Sequence, residues 1–188
     1  ITNFLNKVRQ LSQKAYIMLE YIKAEYLVKK AGPVVDPKTN MRLNTVQIKR
    51  QEIERRNEAL RILEKVMITN KKVNDPDLIY EGAVLIWNLS LPFLNSNYKA
   101  NVYKPFQAAS NLLEMIQSTD VQLRVNLHLE LAKIELEDDF LPKADQNLRK
   151  AMALDYSVVL SKITVKYDPE EDLGLYQRPY DRYLHMLR

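Results

Sequence analysis

Near the N-terminus, apolar side chains recur at Phe4, Val8, Leu11, Ala15, Met18 and Ile22, in alternating steps of four and three. That spacing draws one stripe along a long helix over residues 1–31, and Gly32-Pro33 supplies its stop. Residues 32–44, GPVVDPKTNMRLN, carry two prolines and turn-forming polar residues and read as a loop. A second helix is predicted over about residues 45–69, with Val46, Ile53, Leu60, Leu63 and Met67 on one side and charge on the other. Residues 70–76 break the chain. Asp75 or Asp77 can cap the next helix, LIYEGAVLIWNLSLPFL, which Pro92 kinks or ends. Another helix follows over about 102–117, with Pro105 tolerable in its first turn, before Ser118-Thr119-Asp120 punctuates.

The helix predicted over 121–137 has two apolar stripes. Leu123, Leu127, Leu131 and Ile134 form one, and Val125, Leu129, Ala132 and Leu136 the other. Residues two apart are about 200° around a helix axis, so these stripes point to different sides and need neighbours on both. With the following segment, residues 129–155 (LELAKIELEDDFLPKADQNLRKAMALD) fit the 34-residue tetratricopeptide pattern. Leu131 and Ala132 take its large-small pair and Ala144 its helix-crossing position. Leu148 is the bulky residue one turn on, and Ala151 and Leu154 close the unit. Small residues are needed where two helices approach closely. Asp139 replaces the turn glycine and Tyr156 the closing proline. Fainter copies occur at Ala59, Leu63 and Val66, and at Ala108, Leu112 and Met115. The crossing alanines at 59, 108 and 144 are 49 and 36 residues apart, an irregular period. The predicted fold is therefore all-α: antiparallel helical hairpins stacked as a divergent tetratricopeptide-like solenoid.

The Trp87 helix with its Pro92-Phe93-Leu94 end, and the LRKAMALD closure, give residues 77–155 a resemblance to a known family. They resemble the tetratricopeptide-type region of the large cilia- and flagella-associated proteins of the central apparatus. The resemblance implies a cytoskeletal scaffold in the axoneme of a cilium or flagellum, supporting motility through contacts with other central-apparatus proteins.

Composition sharpens this picture mainly by exclusion. With 46% apolar and 28% charged residues among 188, the chain is expected to fold around a sizeable core. Three glycines are too few for a nucleotide-binding glycine loop or a many-stranded sheet, and the absence of cysteine removes thiolate sites and disulfides. No apolar run is long enough to cross a bilayer, and no membrane partner is expected. The sequence opens at Ile1 and stops in a helix-like run, and is read as a segment of a longer polypeptide. Residues 1–76 hold 16 Lys/Arg against 8 Asp/Glu, whereas residues 77–188 hold 12 against 16. The basic half suggests an acidic partner surface, tubulin among the candidates. Nucleic acid is not expected, because no recognition motif accompanies the charge.

Three domains follow: a basic helical hairpin over 1–76 with the inserted loop 32–44, tetratricopeptide-like repeats over 77–155, and the start of a further helical unit with an acidic loop over 156–188. Within the basic run KRQEIERR, the candidate partner-binding residues are Lys49, Arg50, Arg55 and Arg56, although Glu52 and Arg56 at i,i+4 can pair on a wet surface. A peptide-carboxylate clamp would need several Lys, Arg and Asn residues on one concave face, and the helix over 121–137 offers Asn126 and Lys133. A general repeat adaptor gripping a partner peptide outside cilia is accordingly the alternative reading. His128 lacks a second ligand at helical spacing and reads as structural. Glu137-Asp138-Asp139 reads as a solvated cap for the next helix. DPEEDLGLYQRP at 168–179 fails as a calcium loop, because Leu173 and Pro179 stand where glycine and glutamate are required. Tyr80, Trp87 and Phe93 read as core. No catalytic constellation, metal set or cofactor site emerges, and no enzymatic role is expected.

Overall fold

A computed structural model describes the backbone of residues 2–31, 50–94 and 97–163, and the side chains of 12–30, 50–94 and 97–155. The described residues form six α-helices and no strand: α1 (Thr2–Ala31), α2 (Arg50–Val73), α3 (Pro76–Ser90), α4 (Tyr103–Met115), α5 (Val121–Glu137) and α6 (Leu141–Ile163). Short 3₁₀ turns at Leu91–Phe93 and Lys99–Val102 link α3 to α4. Pro92 thus ends α3, because a proline ring cannot continue the ladder, and Pro105 sits in the first turn of α4. The chain divides into two compact units, Ile1–Ser118 and Thr119–Arg188. This division falls inside the predicted 77–155 segment, because α2 packs on both α3 and α4 and so joins residues 50–73 to 76–115.

In the first unit, α1 pairs with α2 and α3 with α4, and α3 also touches α1. The described part of the predicted α1 stripe faces away from the packed side, and Phe4, Val8 and Leu11 lie outside the described side chains. Ile17, Tyr21, Ala24 and Val28 are buried, whereas Ala15, Met18 and Ile22 are exposed. Both sets have spacings of three and four. Periodicity identifies a stripe, but the fit against α2 and α3 selects which one is covered. That fit is specific: Tyr21 Oη donates to Leu78 O at 2.8 Å, and Asn70 Nδ2 donates to Leu78 O at 3.1 Å and to Tyr21 Oη at 2.5 Å. Burial pushes the Tyr21 phenol well above its ordinary pKa, with Glu81 adding to the effect and the Asn70 bond opposing it. The phenol is therefore a neutral donor here.

Asn70 lies in the core, so α2 continues through the predicted break to Val73. The turn is made by Asn74, in the left-handed region at φ 54°, and by Asp75, which caps α3. The Asp75 carboxylate accepts from Asp77 N at 3.1 Å and Leu78 N at 3.3 Å, and it pairs with Lys14 of α1. Lys14 is the main reason its carboxyl is held below the usual range, and the helix amides reinforce it. Asp75 thus ties α1 to the start of α3. Gly82 completes the junction, since a Cβ there would collide with the Tyr21 hydroxyl and lie 2.8 Å from Met67 Sδ.

The second unit is built on the α5·α6 hairpin. Val125, Leu129 and Ala132 of α5 meet Leu148 and Ala151 of α6, flanked by Val121, Met152 and Leu154. The other predicted stripe of α5, Leu123, Leu127, Leu131 and Ile134, is buried too. The turn solves the missing-glycine problem with backbone. Asp139 takes a left-handed φ of 59°, Phe140 N donates to Glu135 O at 2.7 Å and Asp139 N to Leu136 O at 3.3 Å. This is the reciprocal pair of a Schellman end, at a position where aspartate is one of the few tolerated side chains. The acidic residues therefore terminate α5, in place of the expected cap on α6. Gln117 closes α4 in the same way at φ 49°, with Ser118 N donating to Leu113 O at 3.0 Å.

Candidate protein-interaction surfaces

The basic run at the start of α2 is not one surface. Lys49 lies outside the described residues. Arg50 is exposed and pairs with Glu54 at 3.1 Å, and Arg55 is half-buried. Arg56 is only 3% exposed, and its Nη1 donates to Leu89 O at 3.4 Å. Burial lowers the pKa of Arg56, and the neighbouring charge of Glu52, itself 6% exposed, opposes that shift. This corrects both expectations for Arg56: it is neither a partner contact nor half of a wet ion pair, but a cation packed between α2 and the end of α3. Spacing alone had no means of separating it from Arg55, one residue away.

Of the residues expected to pack the repeat, Ala132, Leu148 and Ala151 share one buried cluster, with Leu154 packed against it. Leu131, Ala132, Ala144, Leu148 and Ala151 are buried and Leu154 is half-buried beside them. On the upstream copies, Ala59, Leu63 and Val66 are buried, but Met115 is exposed and the fully buried alanine of α4 is Ala109, not Ala108. Tyr80, expected in the core, is 40% exposed, whereas Phe93 is fully buried and Trp87 stacks on Phe106 with centroids 5.7 Å apart. The clamp candidates on α5 are engaged within their own helix: Asn126 accepts from Gln122 at 3.0 Å, and Lys133 pairs with Glu130.

Between α5 and α6 runs a partly buried polar chain that residue spacing did not reveal. His128 Nδ1 lies 2.9 Å from Asn147 Oδ1, and Asn147 Nδ2 donates to Glu135 Oε2 at 2.7 Å. His128 and Glu135 are each 2% exposed. Because the amide's NH₂ faces Glu135, its oxygen faces the histidine, so Nδ1 carries a hydrogen and donates. The arrangement fixes α5 against α6 in one register, which apolar contacts alone specify less sharply. Glu135 and Asn147 are twelve residues apart, and only the hairpin brings them together.

Among the described residues, a cleft and an apolar helix face are exposed. The cleft, of about 320 Å³, lies between α2 and the start of α4, where Arg61 and Lys104 stand beside Glu64, Asn57 and Asn101. Its mixed charge suits polar contacts rather than chemistry. The helix face is the exposed apolar side of α1. Among the described residues, no three His, Asp or Glu side chains converge as metal ligands, and no helix is long and apolar enough to cross a membrane. The loop at 168–179 lies outside the described residues.

Helical hairpins, close-packed alanines and open helix faces describe an architecture without naming a protein. A comparison with curated proteins does more: 98 residues of this chain are 39% identical to cilia- and flagella-associated protein 46 of Chlamydomonas reinhardtii. The chain is related to a cilia- and flagella-associated protein. The matched stretch is 52% of this chain and 4% of that relative. No protein-family model matches the chain.

Proposed function

We propose that this chain is a structural scaffold segment of the ciliary or flagellar axoneme, belonging to a central-apparatus projection and supporting motility through protein–protein contacts. The observation that carries the proposal is the 39% identity to a cilia- and flagella-associated protein. The fold is compatible with it. The α5·α6 hairpin packs its helices closely through Ala132, Leu148 and Ala151, as hairpins stacked in a divergent tetratricopeptide-like solenoid do. Its partners in this reading are other central-apparatus proteins, with tubulin a candidate for the basic N-terminal half. The mechanism is presentation of rigid helical surfaces, with no enzymatic step. The alternative of a peptide-gripping adaptor outside cilia is weakened because Asn126 and Lys133 already have partners on α5.

The test is localisation of the tagged full-length protein in motile cilia with and without a central pair. Signal along the axoneme that disappears with the central pair is expected. Retention on cilia lacking the pair, or failure to enter cilia, would overturn the assignment.

A further inference from the structure

The side of α1 turned away from α2 and α3 carries a run of large apolar groups left exposed among the described residues. Met18 is 51% exposed, Leu19 61%, Ile22 63% and Tyr26 59%, with the exposed Ala15 one turn earlier. These residues lie at i, i+3, i+4, i+7 and i+11, so they form one strip along the helix rather than scattered surface positions. Large contiguous apolar strips on a soluble protein mark interaction sites. In the sequence, the same four-three spacing runs back through Leu11, Val8 and Phe4.

The spacing and the charge together select the occupant. Alternating steps of four and three make a narrow seam matched to another helix, as in knobs-into-holes packing. A membrane-surface helix has a broader apolar face, whereas here Glu25 borders the strip on one side. Helix α1 holds six Lys/Arg against two Asp/Glu, and its last turn carries Lys29 and Lys30. Two copies of so basic a helix repel when placed side by side, which disfavours a second copy. We infer that the exposed strip Ala15–Met18–Leu19–Ile22–Tyr26 docks an acidic amphipathic helix of a second protein, with apolar residues at three-four spacing and Asp/Glu on its flanks. The inference deepens the scaffold reading and rests on it for its setting. Its test uses the isolated chain, so a failed interaction and a failed localisation are separate results.

The probe is a labelled 28-residue helical peptide with leucines at three-four spacing and glutamate flanks, titrated into the 188-residue chain. Controls are the same peptide with lysine flanks and a scrambled version. The glutamate peptide is expected to bind at least tenfold more tightly than either control and to weaken with added salt. Leu19→Glu and Ile22→Glu, both at exposed positions, should each reduce its affinity at least tenfold while leaving the helical circular dichroism and melting temperature unchanged. Equal binding of the three peptides, or no binding, would overturn the inference. So would a dimer by light scattering that Ile22→Glu dissolves, or co-sedimentation with vesicles containing phosphatidylserine that Ile22→Glu abolishes. A photo-crosslinker at Leu19 in the full-length protein separates the remaining case. A link to an acidic helical segment of another polypeptide is expected, and a link solely within the same chain would refute it.

Discussion

Replacing Gly82 by alanine sets two well-measured effects against each other. An alanine in a helix interior is favoured over glycine by about 1 kcal/mol, so a helix considered alone predicts stabilisation. In the folded chain the new methyl would overlap the Tyr21 hydroxyl and approach Met67 Sδ at 2.8 Å and Tyr21 Cζ at 2.9 Å. The hydroxyl cannot withdraw freely, because it is held by Leu78 O and Asn70. Overpacking of this kind costs about 1–3 kcal/mol, and displacing Tyr21 forfeits hydrogen bonds worth about 1 kcal/mol each. The net expectation is a loss of about 2 kcal/mol, or a melting temperature lower by about 4–8 °C for a chain of this size. Urea and thermal unfolding followed at 222 nm measure it. A double-mutant cycle with Tyr21→Phe, which removes the oxygen that the methyl meets, should recover at least about 1 kcal/mol relative to additivity. A rise in stability for Gly82→Ala, or strict additivity with Tyr21→Phe, would refute the packing argument and leave only helix propensity.

The Lys14–Asp75 contact gives a pH dependence. The folded Asp75 carboxyl titrates below its ordinary value, so its contribution is complete above the unfolded pKa of about 3.9 and is lost as pH falls through the lower folded value. Lys14→Met should therefore cost about 0.5 kcal/mol at neutral pH, with the difference from wild type shrinking below about pH 4 in an acid unfolding series. Leu148→Ala, at a fully buried position of the α5·α6 core, is expected to cost about 2–5 kcal/mol by denaturant titration. Asn147→Leu removes both hydrogen bonds linking His128 to Glu135 and should cost about 1–3 kcal/mol. Gln117→Gly, at a left-handed φ of 49°, should raise stability by about 1 kcal/mol.

Local signals made much of the helical framework legible. Asp75 caps α3 because its short carboxylate reaches the free amides of the first turn, and Pro92 stops that helix because of its ring. Both effects act within a few residues, so they are visible in the chain itself. The same holds for the span of α5 and for its two stripes, which are buried apart from the half-buried Leu136. Ala132, Leu148 and Ala151 lie close in sequence, and the α5·α6 hairpin buries them in one cluster with Val125 and Leu129.

What depended on distant partners was not readable. Helix α1 has two candidate stripes of similar spacing, and Ile17-Tyr21-Ala24-Val28 is buried because Tyr21 finds Asn70 and Leu78 some fifty residues away. Arg56 leaves the surface because the end of α3 offers it Leu89 O, and His128 and Glu135 become a linked pair only when α6 supplies Asn147. The sequence by itself determined that the chain is helical, where most helices end and which residues suit close packing, since these follow from forces acting over one or two turns. Tertiary structure decided which face of each helix is covered, which charges are buried and which apolar strip of α1 is left exposed. Those outcomes depend on shape and hydrogen bonding between segments whose separation along the chain carries no local signature.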